Sequence, residues 1–279
     1  MNLKKLDLSE IKAISLKVLF DVDQFCRSHG IRYSLAFGSL LGAVRHKGII
    51  PWDDDIDIMM PRVDYERFCR EYYSPHFGLA CSNKYKDCYI NYARVYDQEM
   101  TQSQSLWPWI DDEKSIGVWI DVFPIDDVSD DYSEYCKEYA KIQKYYQLQG
   151  TARGAMARLS REYSLVSNLK TFVKKVLFLG GLISPRIWTD KMDKVAKSKD
   201  YSGSSHCAQL MSALCPANEY YYEKAWFEEY VDLEFEGHYF KAIKGFRHFL
   251  ETAYGDYMQL PPEEKRGRKH PSVRFYYRA

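Results

Sequence analysis

Phe37-Gly38-Ser39-Leu40-Leu41-Gly42-Ala43-Val44-Arg45-His46-Lys47-Gly48-Ile49-Ile50-Pro51-Trp52-Asp53-Asp54-Asp55-Ile56-Asp57-Ile58 is the stretch on which the fold turns. From Asp53 it places four carboxylates within five residues. A solvated acidic turn accounts for Asp53 and Asp54. It does not account for Asp55 and Asp57, which alternate with Ile56 and Ile58 at the period of a strand, acids on one face and apolar side chains on the other. Two carboxylates on a half-buried face require a divalent cation, basic partners or raised pKa values, and the cation is the simplest of the three. A calcium loop of the helix–loop–helix type is excluded, because it needs Gly at 58 and Glu at 64 where the chain has Ile58 and Asp64.

Working outward, Ile31 to Phe37 reads as a strand that breaks at Gly38-Ser39. Leu40 to Arg45 has the length of a short helix, and Lys47 to Trp52 forms a loop around Gly48 and Pro51. A Gly-Ser turn that closes one strand, followed by an Asp-x-Asp strand, resembles the layout of a polymerase-β-like nucleotidyltransferase. The turn lets backbone N–H groups approach a phosphate, and paired aspartates hold Mg²⁺ or Mn²⁺ against its oxygens. A third carboxylate belongs on a neighbouring strand. Asp121, flanked by Ile120 and Val122 in the strand-like run Gly117 to Phe123, is the candidate; Asp126 and Asp127, in a more loop-like setting, are the fallbacks.

The remaining pattern predicts an amphipathic helix over Leu8 to His29, opened by an Asp7/Glu10 capping box and stopped by Gly30. A helix is expected from Arg62 to Tyr73, a strand from Cys88 to Tyr96, and helices from Tyr132 to about Lys199. A hairpin turning at Glu236-Gly237 spans Tyr230 to Ile243, and a last helix covers Phe246 to Tyr254. The expected fold is mixed α/β (α+β), with a small mixed sheet and flanking helices. Residues 1–130 form the nucleotidyltransferase-like core, 131–222 a helical insertion, and 223–279 a C-terminal hairpin, helix and basic tail packed on the core. The apolar stretch Phe172 to Ile183 reads as a buried helical hairpin, with contact to a membrane surface as the alternative.

The chain has 279 residues, 46% of them hydrophobic, and equal numbers of basic and acidic residues (39 each), so it can build a sizeable core and gives no electrostatic case for nucleic acid. Its first residues lack the apolar run of a secretory signal. Its seven cysteines form no C-x-x-C pair, which points to reduced thiols and a cytoplasmic protein, working if anywhere near the inner face of the membrane.

The quoted stretch closely resembles the signature of the LicD family, which includes bacterial phosphocholine transferases and the animal fukutin and fukutin-related proteins. The resemblance continues at Ile120-Asp121-Val122-Phe123-Pro124-Ile125-Asp126, at Leu233-Glu234-Phe235-Glu236-Gly237 and from Tyr254 to Arg266. Family members often carry adjacent histidines after the Lys-Arg segment, whereas at this place the chain has only His270. The resemblance implies a transferase that takes a phosphorylated alcohol, phosphocholine first among them, from a CDP-linked donor to a hydroxyl of a cell-surface glycan or lipid-linked glycan such as lipopolysaccharide or teichoic acid, releasing CMP. It implies Asp55, Asp57 and Asp121 as ligands of the metal, with Asp121 also placed to activate the acceptor. Gly38 and Ser39 would meet the donor phosphates, with Arg45, His46, Lys47, Arg94, Lys265 and Arg266 as further donor-binding candidates. Trp52, Trp107, Trp109 and Trp119 are the aromatic faces available to a choline cation. Two other readings stay open: a nucleotidylyltransferase acting on an NTP α-phosphate, and a catalytically silent scaffold of glycan assembly.

Overall fold

The structure, a computed structural model, describes residues 3–82, 90–105, 116–153, 164–179, 184–212, 216–267 and 273–278. Helix α1 (Leu8–His29) begins where the Asp7 carboxylate accepts the Glu10 N–H and Glu10 accepts the Asp7 N–H in return. It ends at Gly30, whose φ of 62° suits a residue without Cβ. Its apolar stripe is buried as its spacing predicts, from Ile11 and Ile14 through Val18, Leu19 and Val22 to Cys26. Then come β1 (Ser34–Leu35), α2 (Phe37–Arg45), β2 (Asp57–Pro61), α3 (Arg62–Glu71), β3 (Phe77–Ala80), β4 (Ala93–Asp97), β5 (Thr101–Ser105) and β6 (Trp119–Val128). The second half comprises α4 (Tyr132–Arg153), α5 (Leu165–Leu179), α6 (Pro185–Ala196), β7 (His206–Ala208), β8 (Tyr221–Glu223), β9 (Tyr230–Phe235), β10 (His238–Ile243), α7 (Phe246–Tyr254) and β11 (Val273–Tyr277).

The central sheet runs β1-β2-β6-β4-β3, with β7 and β8 continuing from the far end of β6. β2 and β6 are parallel and the other pairs antiparallel, so the α/β (α+β) class and the mixed sheet are as expected. α1 packs along β4 and β6, and α3 along β6 and β2. The helices meet where Phe25 lies edge-on to Phe68 and Tyr72, at centroid distances of 6.0 and 5.1 Å. Ile58, Val122 and Ala93 are register neighbours on the covered face, each with 0% exposure. The alternate residues face the other way, and that face carries the acidic side chains.

Four expectations are revised. The strand over Ile31 to Phe37 shrinks to Ser34–Leu35, because α2 already starts at Phe37. Asp126 and Asp127 are not in a loop; they lie on β6, where β7 pairs with them. That pairing also means that 131–222 is not helical throughout, since β7 and β8 return it to the sheet. Inside this segment α4 packs along α6, and the buried Gln149 amide donates to Asn91 Oδ1 and Thr189 Oγ1, tying both helices to the approach to β4. Finally, the C-terminal tail ends in a strand, β11, antiparallel to β5. The hairpin at Glu236-Gly237 forms as predicted, with φ of 53° and 73° at the two turn residues.

Cys26, Cys69, Cys81, Cys136 and Cys207 form no disulfide among the described residues. Cys88 and Cys215, together with Trp107, Trp109, His270 and the Lys265 side chain, lie outside the described residues. Among the described residues no helix is long and apolar enough to cross a membrane.

Candidate active site

Three strands bring one row of side chains together. Asp57 of β2 pairs in register with Asp121 of β6, and Asp121 pairs with Arg94 of β4. Neighbouring strands are about 4.8 Å apart, so register partners on one face are in side-chain reach. Asp121 is 4% exposed, and Arg94 Nε donates to its Oδ1 at 2.7 Å. Trp119, two residues before Asp121 and so on the same face, offers its ring to the Arg94 guanidinium at 4.3 Å. Tyr92, two residues before Arg94, accepts a longer hydrogen bond from Arg94 Nη2 at 3.4 Å. Burial pulls the Arg94 pKa down, but Asp121 and Tyr92 overcome it and hold the guanidinium above its ordinary value. Burial first, then the charge of Asp121, pushes the Tyr92 phenol up, with Asp57 adding to the same effect. The row is therefore a compact anionic face with one cation fixed at its edge.

Beside it, Asp53, Asp54 and Asp55 each offer a carboxylate oxygen within 4.8 Å of the others, the group among the described residues with the spacing of a metal site. Asp53 and Asp54 are 4% and 8% exposed, so the solvated turn expected for them is not what forms. The reason is α2. A Cβ at Gly38 would lie 2.5 Å from Asp53 Oδ2, so the absence of a side chain at Gly38 lets the carboxylate approach the first turn of that helix. Unsatisfied N–H groups and the positive end of the macrodipole favour an anion there. Ser39 is 5% exposed and its Oγ accepts the Asp57 N–H at 2.8 Å, so it braces the start of β2. Phe37, at the sharp entry to α2, has a φ of 43°, a conformation that costs a residue with Cβ about 1–2 kcal/mol.

The loop between α2 and the acidic run is clamped from two sides. Glu236, at the β9–β10 turn, donates its N–H to Lys47 O and accepts the Ile49 N–H, both at 2.8 Å. Lys12 of α1 donates to Ile50 O and Pro51 O at 2.9 Å each. These bonds hold its ammonium next to the start of the acidic run; burial lowers the Lys12 pKa, and Asp53, Glu236 and Asp54 oppose that shift. A Cβ on Gly42 would run into the Gly48 carbonyl, a rigid backbone atom. Gly42→Ala is therefore expected to destabilise the protein by about 1–3 kcal/mol, the cost of overpacking. Urea unfolding checks this, and an unchanged midpoint would mean that the loop is not locked at this point.

A second cluster gathers Arg45, His46, Trp52 and Arg266. His46 meets Trp52 edge-on at 6.0 Å, and Arg266 lies over the Trp52 ring at 5.3 Å. Arg45 Nη1 donates to Tyr257 O at 2.7 Å and Gln259 O at 3.2 Å, which commits it to the C-terminal segment. Burial, then Arg45, lowers the His46 pKa. The Lys47 side chain is exposed. Asp126, the fallback third carboxylate, is held elsewhere by Arg62, with Nε–Oδ1 2.6 Å and Nη2–Oδ2 2.9 Å. Trp119 is 8% exposed beneath Arg94, which leaves it little ring face for a choline cation. Lys12 and Tyr92 had no sequence signal, because each reaches the site through a tertiary contact, not a motif.

Residues 30–151 match the model of the LicD/FKTN/FKRP nucleotidyltransferase domain. The lipopolysaccharide cholinephosphotransferase LicD of Haemophilus influenzae is 28% identical over 274 residues, 96% of this chain and 97% of its own length. The human ribitol 5-phosphate transferase FKRP is 66% identical over 29 residues, 10% of this chain and 6% of its own length. An uncharacterised protein of Rickettsia typhi is 43% identical over 68 residues, 24% of this chain and 22% of its own length. The acidic face of β2 and β6 and the turn into α2 lie within the matched segment, so the chain is similar across residues 30–151 to the LicD/FKTN/FKRP nucleotidyltransferase domain and over nearly its whole length to a LicD transferase.

Proposed function

We propose that the protein is a phosphotransferase that moves a phosphorylated alcohol, phosphocholine in the first instance, from a CDP-activated donor to a glycan hydroxyl and releases CMP. The observation that carries this reading is the convergence of Asp53, Asp54 and Asp55 beside the Asp57–Asp121 register pair, within a LicD-type domain. The names of two relatives, a cholinephosphotransferase and a ribitol phosphate transferase, support phospho-alcohol transfer as the reaction class. The donor set is all carboxylate, which suits a hard divalent cation such as Mg²⁺ or Mn²⁺. Asp55 and Asp57 would hold it, with Asp121 or Asp53 and Asp54 completing the set. Bound there, the ion would neutralise phosphate oxygens and bring donor and acceptor into line.

The chain's own groups do the rest. The acceptor oxygen attacks the distal phosphorus, the phosphoanhydride bond to CMP breaks, and the acceptor proton passes to a carboxylate of the acidic face. Asp121 is the candidate, because Arg94 fixes its orientation at 2.7 Å. Gly38 and Ser39 act on the donor at one remove, because the first turn of α2 receives Asp53 and the Ser39 hydroxyl holds the Asp57 N–H at the acidic face. Arg266 and His46, gathered at Trp52, are the cationic and aromatic groups for the nucleotide or its cargo.

A donor screen tests the reading. CDP-choline, CDP-ethanolamine, CDP-ribitol and CDP-glycerol are each incubated with a glycan acceptor, CTP serves as the rival substrate, and CMP and pyrophosphate are measured. CMP release with one CDP-alcohol, abolished by EDTA and restored by Mg²⁺, is the expected result. Pyrophosphate from CTP would make the protein a nucleotidylyltransferase. Absence of turnover with every donor, and of any metal-dependent melting shift with CDP-alcohols, would leave the scaffold reading.

A further inference from the structure

Of the stretch Phe172 to Ile183, expected as a buried hairpin, residues 172–179 belong to α5, 172–178 are not buried, and 180–183 lie outside the described residues. Val166, Leu169, Phe172, Val173 and Val176 are 63, 62, 54, 48 and 52% exposed, and α5 makes no extensive contact with any other described element. At about 100° per residue these five side chains fall within an arc of roughly 120°. Lys170 and Lys174 flank one edge of that arc and Lys175 the other, and Leu165–Leu179 contains no acidic residue. From this geometry we propose that α5 is a docking element that lies in the surface of an anionic lipid bilayer, its apolar arc among the acyl chains and its lysines at the headgroups.

Charge decides between the occupants. Two copies of α5 packed through this arc would bring lysines against lysines with no acid to pair them, whereas a stable helix pair places opposite charges along its seam. An anionic headgroup layer complements all three lysines, and their long stems let the ammonium groups reach it while the apolar arc is immersed. The helix has 15 residues, too short to span a bilayer and long enough to lie along it. The inference uses nothing from the acidic face, so it stands or falls separately from the proposed reaction. If both hold, α5 brings the acidic face to a lipid-linked acceptor.

The test is flotation of the full-length protein with vesicles of phosphatidylcholine alone and of phosphatidylcholine with phosphatidylglycerol. The wild type is expected to float with the anionic vesicles and much less with the neutral ones. The Leu169→Glu/Phe172→Glu/Val173→Glu variant should lose partitioning by about tenfold or more, because acids in the arc oppose both insertion and the anionic surface. Lys170→Gln/Lys174→Gln/Lys175→Gln leaves the arc intact and should lose the preference for anionic vesicles. Since all the altered side chains except Lys174 and Lys175, which are half-buried, are exposed, circular dichroism should be unchanged, and the lysine variant decides the matter if the acidic one misfolds. A wild type that does not float, or variants that float equally, would overturn the proposal. So would a light-scattering mass that falls from dimer to monomer in the acidic variant without vesicle binding in the wild type, which would assign the face to a second copy.

Discussion

Asp55→Asn and Asp57→Asn are each expected to lower transfer from the proposed CDP-alcohol donor by about a thousandfold, the rate equivalent of losing several kcal/mol of metal-borne charge stabilisation. Each variant is also expected to weaken the rise in melting temperature that Mg²⁺ should produce in the wild type. The unliganded protein should be as stable as the wild type or more so, because Asp55 sits in a group of three carboxylates within 4.8 Å and Asp57 beside Asp121, and neutralising one member relieves repulsion. Steady-state turnover, a melting curve and a Mg²⁺ titration on the same preparations give the three readouts. Full turnover in both variants would end the metal assignment. A lower melting temperature with turnover intact would instead make the two aspartates members of a structural ion-pair network, with Lys12 and Arg94 as the nearby cations.

The same measurement on Asp53→Asn distinguishes two ways of holding the ion. If the cation belongs to the tight group of Asp53, Asp54 and Asp55, this variant loses the Mg²⁺ response too. If it belongs to Asp55, Asp57 and Asp121, Asp53 acts through the first turn of α2, and its loss should lower stability before it lowers metal affinity.

Local rules make α1, the β9–β10 hairpin and α7 legible in the amino-acid sequence. The Asp7/Glu10 box, the two turn residues Glu236 and Gly237 and a helical apolar period are all written within a few residues of one another. The strand around Asp121 was legible for a similar reason, since Ile120 and Val122 alternate with it along β6 and are both fully buried. What stayed hidden depends on partners far along the chain. β5 reads Thr-Gln-Ser-Gln-Ser, with no apolar alternation, and becomes a strand because β11 lies against it. Asp53 and Asp54 looked solvated because nothing local to them announces the helix end that receives Asp53. Arg45 has the length and charge of a phosphate clamp, and only the position of Tyr257 and Gln259 shows where its guanidinium goes. The stripe of α5 obeys the same period as the stripe of α1, since periodicity records an apolar face and not what covers it.

Asp126→Asn is expected to lower stability by about 3–5 kcal/mol, a fall in melting temperature on the order of 10 °C, and to leave turnover per folded molecule unchanged. The Asp126 carboxylate is 2% exposed and takes two hydrogen bonds from Arg62, whose side chain is 14% exposed. Burial pushes the Asp126 carboxyl up and the Arg62 charge pulls it back, so the pair is sustained by mutual compensation in a poorly solvated place. Removing one charge leaves Arg62 with Asp193, at 3.4 Å, as its remaining acidic partner among the described residues. The loss should therefore exceed the value of any single hydrogen bond. Arg62→Met combined with Asp126→Leu removes both charges and fills the space with apolar volume, and it should recover most of the lost stability, since a buried pair replaced whole is often neutral. Urea unfolding of Arg62→Met, Asp126→Leu and their double variant supplies the cycle. Turnover lost in Asp126→Asn with an unchanged unfolding midpoint would transfer the role proposed for Asp121 to Asp126. A double variant no more stable than the singles would mean that the pair fixes the β6–β7 junction by geometry and not by charge compensation.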